Sequence, residues 1–148
     1  MDELDIKFIE RMNQIGATPL PRCSDRAVDL AQSALQQMRA AMMPQALTHM
    51  YKNISGGYLL GDAVIFGLEE IYRAEASYSL PGLLDINREI SGYANMRGRT
   101  LLGRNSLFWL YFDAFGKYYM ADNVNMNVLR EYVDMSRAIE DCLIVGKL

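Results

Sequence analysis

The chain has 148 residues, a formal net charge of −3, 51% hydrophobic and 22% charged residues, and two cysteines. A chain of that length fits one domain and buries roughly 68–70% of its unfolded surface, enough for a core without staples. The acidic balance argues against a general nucleic-acid coat, which needs clustered Lys and Arg, and the composition is that of a globular protein rather than of extended disorder.

The opening segment MDELDIKFIERM is acidic and amphipathic. It lacks the positive start and continuous apolar stretch of a secretory signal, so a cytoplasmic protein is expected. Cys23 and Cys142 stand far apart, without a second pair or a histidine at metal-ligand spacing. Two reduced thiols are therefore expected, with no disulfide framework, zinc site or cofactor. Apolar runs such as Leu107–Phe112 fall far short of the roughly 20 residues of a spanning helix, and no membrane crossing is expected.

In chain order, Leu4, Phe8, Met12 and Ile15 form one apolar stripe at helical spacing, and Gly16 suits a left-handed cap. A turn is predicted at Thr18–Pro21. Ser24 or Asp25 then caps a second helix that carries Val28, Ala31, Leu35 and Met38 to about Ala41. Pro44 suits the first turn of a third helix, with Leu47, Met50, Tyr51 and Ile54 inward and Gly56-Gly57 as its stop.

The period then changes. Tyr58–Leu60 and Ala63–Phe66, separated by Gly61-Asp62, read as a hairpin. Pro81 opens a helix with Leu83, Leu84, Ile86 and Ile90, and a polar loop follows at Gly92–Gly98. Thr100–Gly103, Ser106–Asp113 and Lys117–Ala121 form a predicted antiparallel meander in which Leu107–Phe112, apolar on both faces, is central. Val128–Val133 either pairs or packs, and Asp134 caps a last helix with Ala138, Ile139, Cys142 and Leu143 inward. The expected fold is α+β: a single domain over residues 1–148, helical over 1–43, with an antiparallel sheet of five or six strands packed by N-terminal, middle and C-terminal helices.

The order of Pro44, Leu47, Tyr51, Gly56-Gly57, Gly61, Gly67 and Glu70-Ile71 resembles the signature segment of the SUKH superfamily of bacterial immunity proteins. The later run is similar to that family's YrhA-type branch: Leu83-Leu84, Asn87, Leu101-Leu102-Gly103-Arg104, Leu110-Tyr111-Phe112-Asp113, Tyr118 or Tyr119, Asp122 and Tyr132. The resemblance implies an intracellular, non-catalytic protein that binds and neutralises a cognate toxin, by occluding its active site or by locking it inactive. It transfers no toxin-contacting residue. A regulatory or scaffold module of the same fold, a homodimer included, is the alternative.

Many toxin domains that cut nucleic acid are basic, so Asp62, Glu69, Glu70 and Glu75 are candidate partner-binding residues that would steer and mask a basic nuclease-type domain. Tyr111 and Tyr118, with Tyr119 and Trp109, are candidate anchors on an exposed sheet face; for Trp109, core packing is favoured. The remaining features give no constellation for catalysis. His49, the lone histidine, has no orienting partner in the sequence, and GGYLLG lacks the lysine and Ser/Thr of a phosphate loop. Arg88, Arg97, Arg99 and Arg104 can contact phosphate, but charges flanking apolar strands more often guard strand edges.

Overall fold

The computed structural model describes residues 2–73 and 78–144, with 71–73 and 78–79 described as backbone alone. Helix α1 (Glu3–Gln14) starts at Asp2, whose carboxylate accepts from the Asp5 N–H, and buries Phe8 and Met12. It closes on Gly16 at φ 81°, with the Ala17 N–H returning to the Met12 carbonyl at 3.0 Å, a Schellman-type end that glycine permits. Leu4, predicted to join the buried stripe, is 76% exposed, so the stripe is only as long as the body it covers.

Thr18–Pro19 forms a short edge strand, β1, instead of the predicted turn; it pairs with Tyr58-Leu59. Proline is tolerated at an edge, where its missing N–H breaks no inner ladder. Helix α2 (Asp25–Gln37) is capped by Ser24, which accepts from the Ala27 N–H at 3.1 Å. It ends earlier than predicted, where Arg39 turns to φ 59°. Helix α3 (Gln45–Asn53) follows Pro44, which occupies the cap position.

Strands β2 (Tyr58–Leu60) and β3 (Ala63–Ile65) form the predicted hairpin across Gly61. Strands β4 (Ile71–Arg73) and β5 (Tyr78–Leu80) make a separate two-stranded sheet that periodicity did not reveal. Helix α4 (Leu83–Ile90) and a 3-10 turn at Ala94–Met96 lead into β6 (Arg99–Arg104), β7 (Phe108–Asp113) and β8 (Tyr118–Asp122). The segment 128–133 does pair: Val128–Tyr132 is β9, and α5 (Met135–Leu143) closes the described chain from its Asp134 cap.

The main sheet has seven antiparallel strands in the order β1-β2-β3-β6-β7-β8-β9, so the α+β architecture is as read and the strand count is higher. The middle position falls to β6, with β7 beside it. The buried apolar side chains of helices and sheet form a single cluster. Helix α5 fixes which face is which: Tyr132 Oη and an Arg130 guanidinium N–H on β9 both donate to Asp141 Oδ2 on α5, at 2.8 and 3.3 Å. Register and alternation place Leu110, Phe112, Tyr118 and Met120 on that covered face.

Two glycines, one in the sheet and one in the loop before β2, meet real close approaches. A Cβ on Gly103 would stand 2.5 Å from the Val64 carbonyl oxygen, beside the bulge between Leu101 and Gly103. A Cβ on Gly56 would collide with the Pro21 carbonyl.

Candidate interaction surface

Cross-strand register defines the sheet face opposite α5. Arg99 lies across from Asp113, Leu101 from Tyr111, and Arg104 from Trp109. The rows continue as Tyr111–Tyr119–Glu131 and Trp109–Ala121–Val128. Tyr111 and Tyr119 stack with centroids 5.2 Å apart and planes 21° from parallel. The Arg99 guanidinium lies 5.1 Å from the Tyr111 ring and 5.9 Å from the Tyr119 ring, an arrangement in which each ring attracts the cation. Arg99 is held there by donating to the Asn95 carbonyl at 2.8 Å.

Asp113 organises the end of this face. Its Oδ1 accepts from the Phe115 and Lys117 N–H groups of the β7–β8 turn, at 2.9 and 3.1 Å, and its Oδ2 accepts from Tyr119 Oη at 2.6 Å. Burial alone would raise its carboxyl, but those hydrogen bonds, with the Lys117 charge, hold it below the ordinary value. The same bond to Asp113, with burial, pushes the Tyr119 hydroxyl up to about 12. Lys117 and Glu131 pair at 3.3 Å along the rim.

What results is a half-buried aromatic surface, Trp109 and Tyr119, with Arg99 laid over the Tyr119 end and Asp113, Lys117 and Glu131 around it. Aromatic and arginine side chains in that setting are the residues that anchor protein interfaces. The fold contributes rigidity: all four strands involved are hydrogen-bonded on this register.

The predicted anchors Tyr111 and Tyr118 do not reach solvent, being 0% and 2% exposed, and they are corrected to core residues. Tyr118 points to the α5 side and packs on Phe112 at 6.0 Å; Tyr111 lies beneath Arg99 and Tyr119. Asp62, Glu69 and Glu70 are exposed as predicted. They sit at opposite ends of β3, however, Asp62 in the hairpin tip and Glu69-Glu70 beyond the far end, and so do not make one acidic patch. Glu75 lies outside the described residues.

The arginines also separate. Arg88 pairs with Asp85 on α4 at 3.4 Å, Arg104, across from Trp109, stacks on Phe66 at 5.4 Å, and Arg99 lies over the Tyr111 and Tyr119 rings. His49 is on an exposed helix flank, as read, and its Nε2–H donates to Asp5 Oδ2 at 2.8 Å. Among the described residues no three His, Cys, Asp or Glu side chains group to hold a metal ion, and no helix is long and apolar enough to cross a membrane. No protein-family model, curated protein or solved structure matches the chain.

Proposed function

We propose that this chain is an immunity protein of the SUKH type that neutralises a cognate bacterial toxin by stoichiometric binding, with the Arg99–Trp109–Tyr119 face as its contact surface. The observation that carries the reading is that face itself. It offers preordered ring area and a guanidinium already fixed by Asn95, so little side-chain freedom remains to be lost on binding. A toxin surface pressed against it loses access to solvent and substrate, which is steric occlusion. The carboxylates of Asp113 and Glu131 at its rim are balanced by Arg99 and Lys117, so the preference for a basic partner such as a nuclease-type domain rests on the net charge of −3 of the whole chain. Asp62 and Glu69-Glu70, lying elsewhere, act on the approach of such a partner, within the Debye length of about 8 Å at physiological salt.

Two features of the resembling segments support the same reading at the level of fold. Gly56 and Gly103 stand where another backbone leaves no room for a side chain, and Asn87 is buried against β6. Gly56, Gly103 and Asn87 therefore hold the scaffold; of the proposed contacts, Arg99 and Trp109 lie outside the resembling segments and Tyr119 lies within them.

A regulatory or scaffold module, self-associating through its sheet, is the second reading. It draws on the open edge of β9, where Val128 and Leu129 are exposed, but the alternating Arg130 and Glu131 on that edge oppose pairing with another copy. Growth rescue tests the first reading: cells expressing a candidate toxin from the same source survive when this chain is co-expressed and die when it carries Trp109→Ala with Tyr119→Ala. Rescue by neither chain for every such toxin rejects immunity.

A further inference from the structure

A groove of about 810 Å³ opens between α1, α3 and the start of α5, and none of the residues of the aromatic sheet face lines it. Its apolar lining is supplied by Phe8, Met12, Ile54 and Met135, and two of its lining residues stand almost fully in solvent: Leu4 at 76% and Val133 at 86%. Aliphatic side chains left exposed on both sides of an apolar trough are the anatomy of a helix-binding groove.

The charges around it have a definite sign. Asp5 accepts a hydrogen bond from His49 at 2.8 Å and keeps its charge, and Glu140 is paired with Arg11. Lys7 turns to Glu3 on its own helix, at 3.3 Å. Asp2 and Asp134, the caps of α1 and α5, add two more carboxylates, each using Oδ1 for its helix start. A helix N-terminus carries only about half a positive charge, so each full carboxylate outweighs the dipole it caps and the groove is net negative. The same sign disfavours an anionic membrane surface.

We propose that this groove binds a basic amphipathic helix of a partner protein. The aliphatic stripe of that helix lies between Leu4 and Val133 on the half-buried Ile54 and Met135, over a floor of buried Phe8 and Met12, and its Lys or Arg flanks meet Asp2 and Asp134. The proposal deepens the protein-binding reading by adding a second contact of defined chemistry, and it rests on that reading only in taking the partner to be a protein.

The test is fluorescence anisotropy with three synthetic alanine-based helices: one with a leucine stripe flanked by lysines, one with the lysines replaced by glutamates, and one with lysines but no leucine stripe. The expected result is saturable one-to-one binding of the first peptide alone, weakened by added salt. Leu4→Lys with Val133→Lys, both at exposed positions, weakens it about tenfold or more, as does Asp2→Ser with Asp134→Ser, which keeps a capping oxygen and removes the charge. Trp109→Ala with Tyr119→Ala leaves peptide binding unchanged, which separates this site from the sheet face. Failure of the leucine–lysine peptide to bind, equal binding of either comparator, or full binding by the groove variants overturns the proposal. None of those outcomes bears on toxin rescue through the sheet face.

Discussion

Asn87 replaces a missing strand neighbour for Leu101. The Leu101 N–H donates to Asn87 Oδ1 at 2.8 Å, and the Asn87 amide donates to the Leu101 carbonyl at 2.9 Å and to the Leu83 carbonyl at 2.8 Å. Strand β3 pairs with β6 at Gly103 and Arg104, and the Phe66 N–H beyond it reaches the Leu102 carbonyl at 2.9 Å; among the described residues no strand continues this pairing past Leu101, and one amide side chain from α4 satisfies Leu101 instead. Asn87→Ala or Asn87→Leu leaves a buried N–H and a buried C=O without partners. The expected loss is about 2–6 kcal/mol, at about 1–3 for each group, read from the denaturant midpoint at unchanged slope. A loss under about 1 kcal/mol contradicts this role.

Gly103→Ala drives a methyl group toward the Val64 carbonyl, 2.5 Å away, with Ile65 Cδ1 at 2.7 Å. The β3–β6 pair must part, at a cost of about 1–3 kcal/mol. Gly92→Ala, which meets nothing within 4 Å and has no left-handed φ, is the control, and its thermal midpoint should stay close to that of the parent.

The Asp113–Tyr119 bond makes a pH prediction of each sign. Asp113 has a lowered carboxyl pKa when folded, so the stability it contributes is full above the ordinary value of 3.8 and is lost as pH falls through the lower folded value. Tyr119 has a raised pKa, about 12 against an ordinary 10.0. Its contribution is full below 10.0 and is lost as pH rises through about 12. Ultraviolet titration of the phenols should show Tyr119 ionising near 12 in the parent and moving down toward 10 in Asp113→Asn; an unchanged titration contradicts the pairing.

The two thiols should differ sharply toward an alkylating reagent. Cys142 is fully buried and burial pushes its thiol up to about 12, whereas Cys23 is half-buried with a smaller rise led by burial. Mass spectrometry of the native protein should show one slow modification, at Cys23, with Cys142 modified only after unfolding. Modification of Cys142 at the rate of Cys23 would mean that α5 does not cover the sheet as described.

The helices and the β2–β3 hairpin were legible because their signals are local: Ser24 and Asp134 cap, Gly16 and Gly61 turn, and Phe8 and Met12 recur at helical spacing. What lay beyond sequence was set by partners far along the chain. Thr18–Pro19 is a strand only because Tyr58-Leu59 lies beside it, and Leu4 stays exposed because the body ends short of it. The candidate site shows the same limit. Adjacent Tyr118 and Tyr119 must face opposite sides of a sheet, and alternation ties Trp109, Tyr111 and Tyr119 to one side, yet nothing local says that α5 covers the other. Asn87 stood in the resembling run without a reason; its reason is Leu101 on β6, which the β3 pairing does not reach, visible only in three dimensions.

The most direct measurement is isothermal titration of the purified chain with the toxin domain that it protects against in growth rescue, alongside Trp109→Ala/Tyr119→Ala. The proposed function predicts one-to-one binding that abolishes toxin activity, with the double variant weakened by about 2 kcal/mol or more, roughly thirtyfold. One-to-one inhibition retained in full by the double variant would contradict the assignment of the sheet face, and a toxin that remains active when saturated with this chain would contradict neutralisation by occlusion.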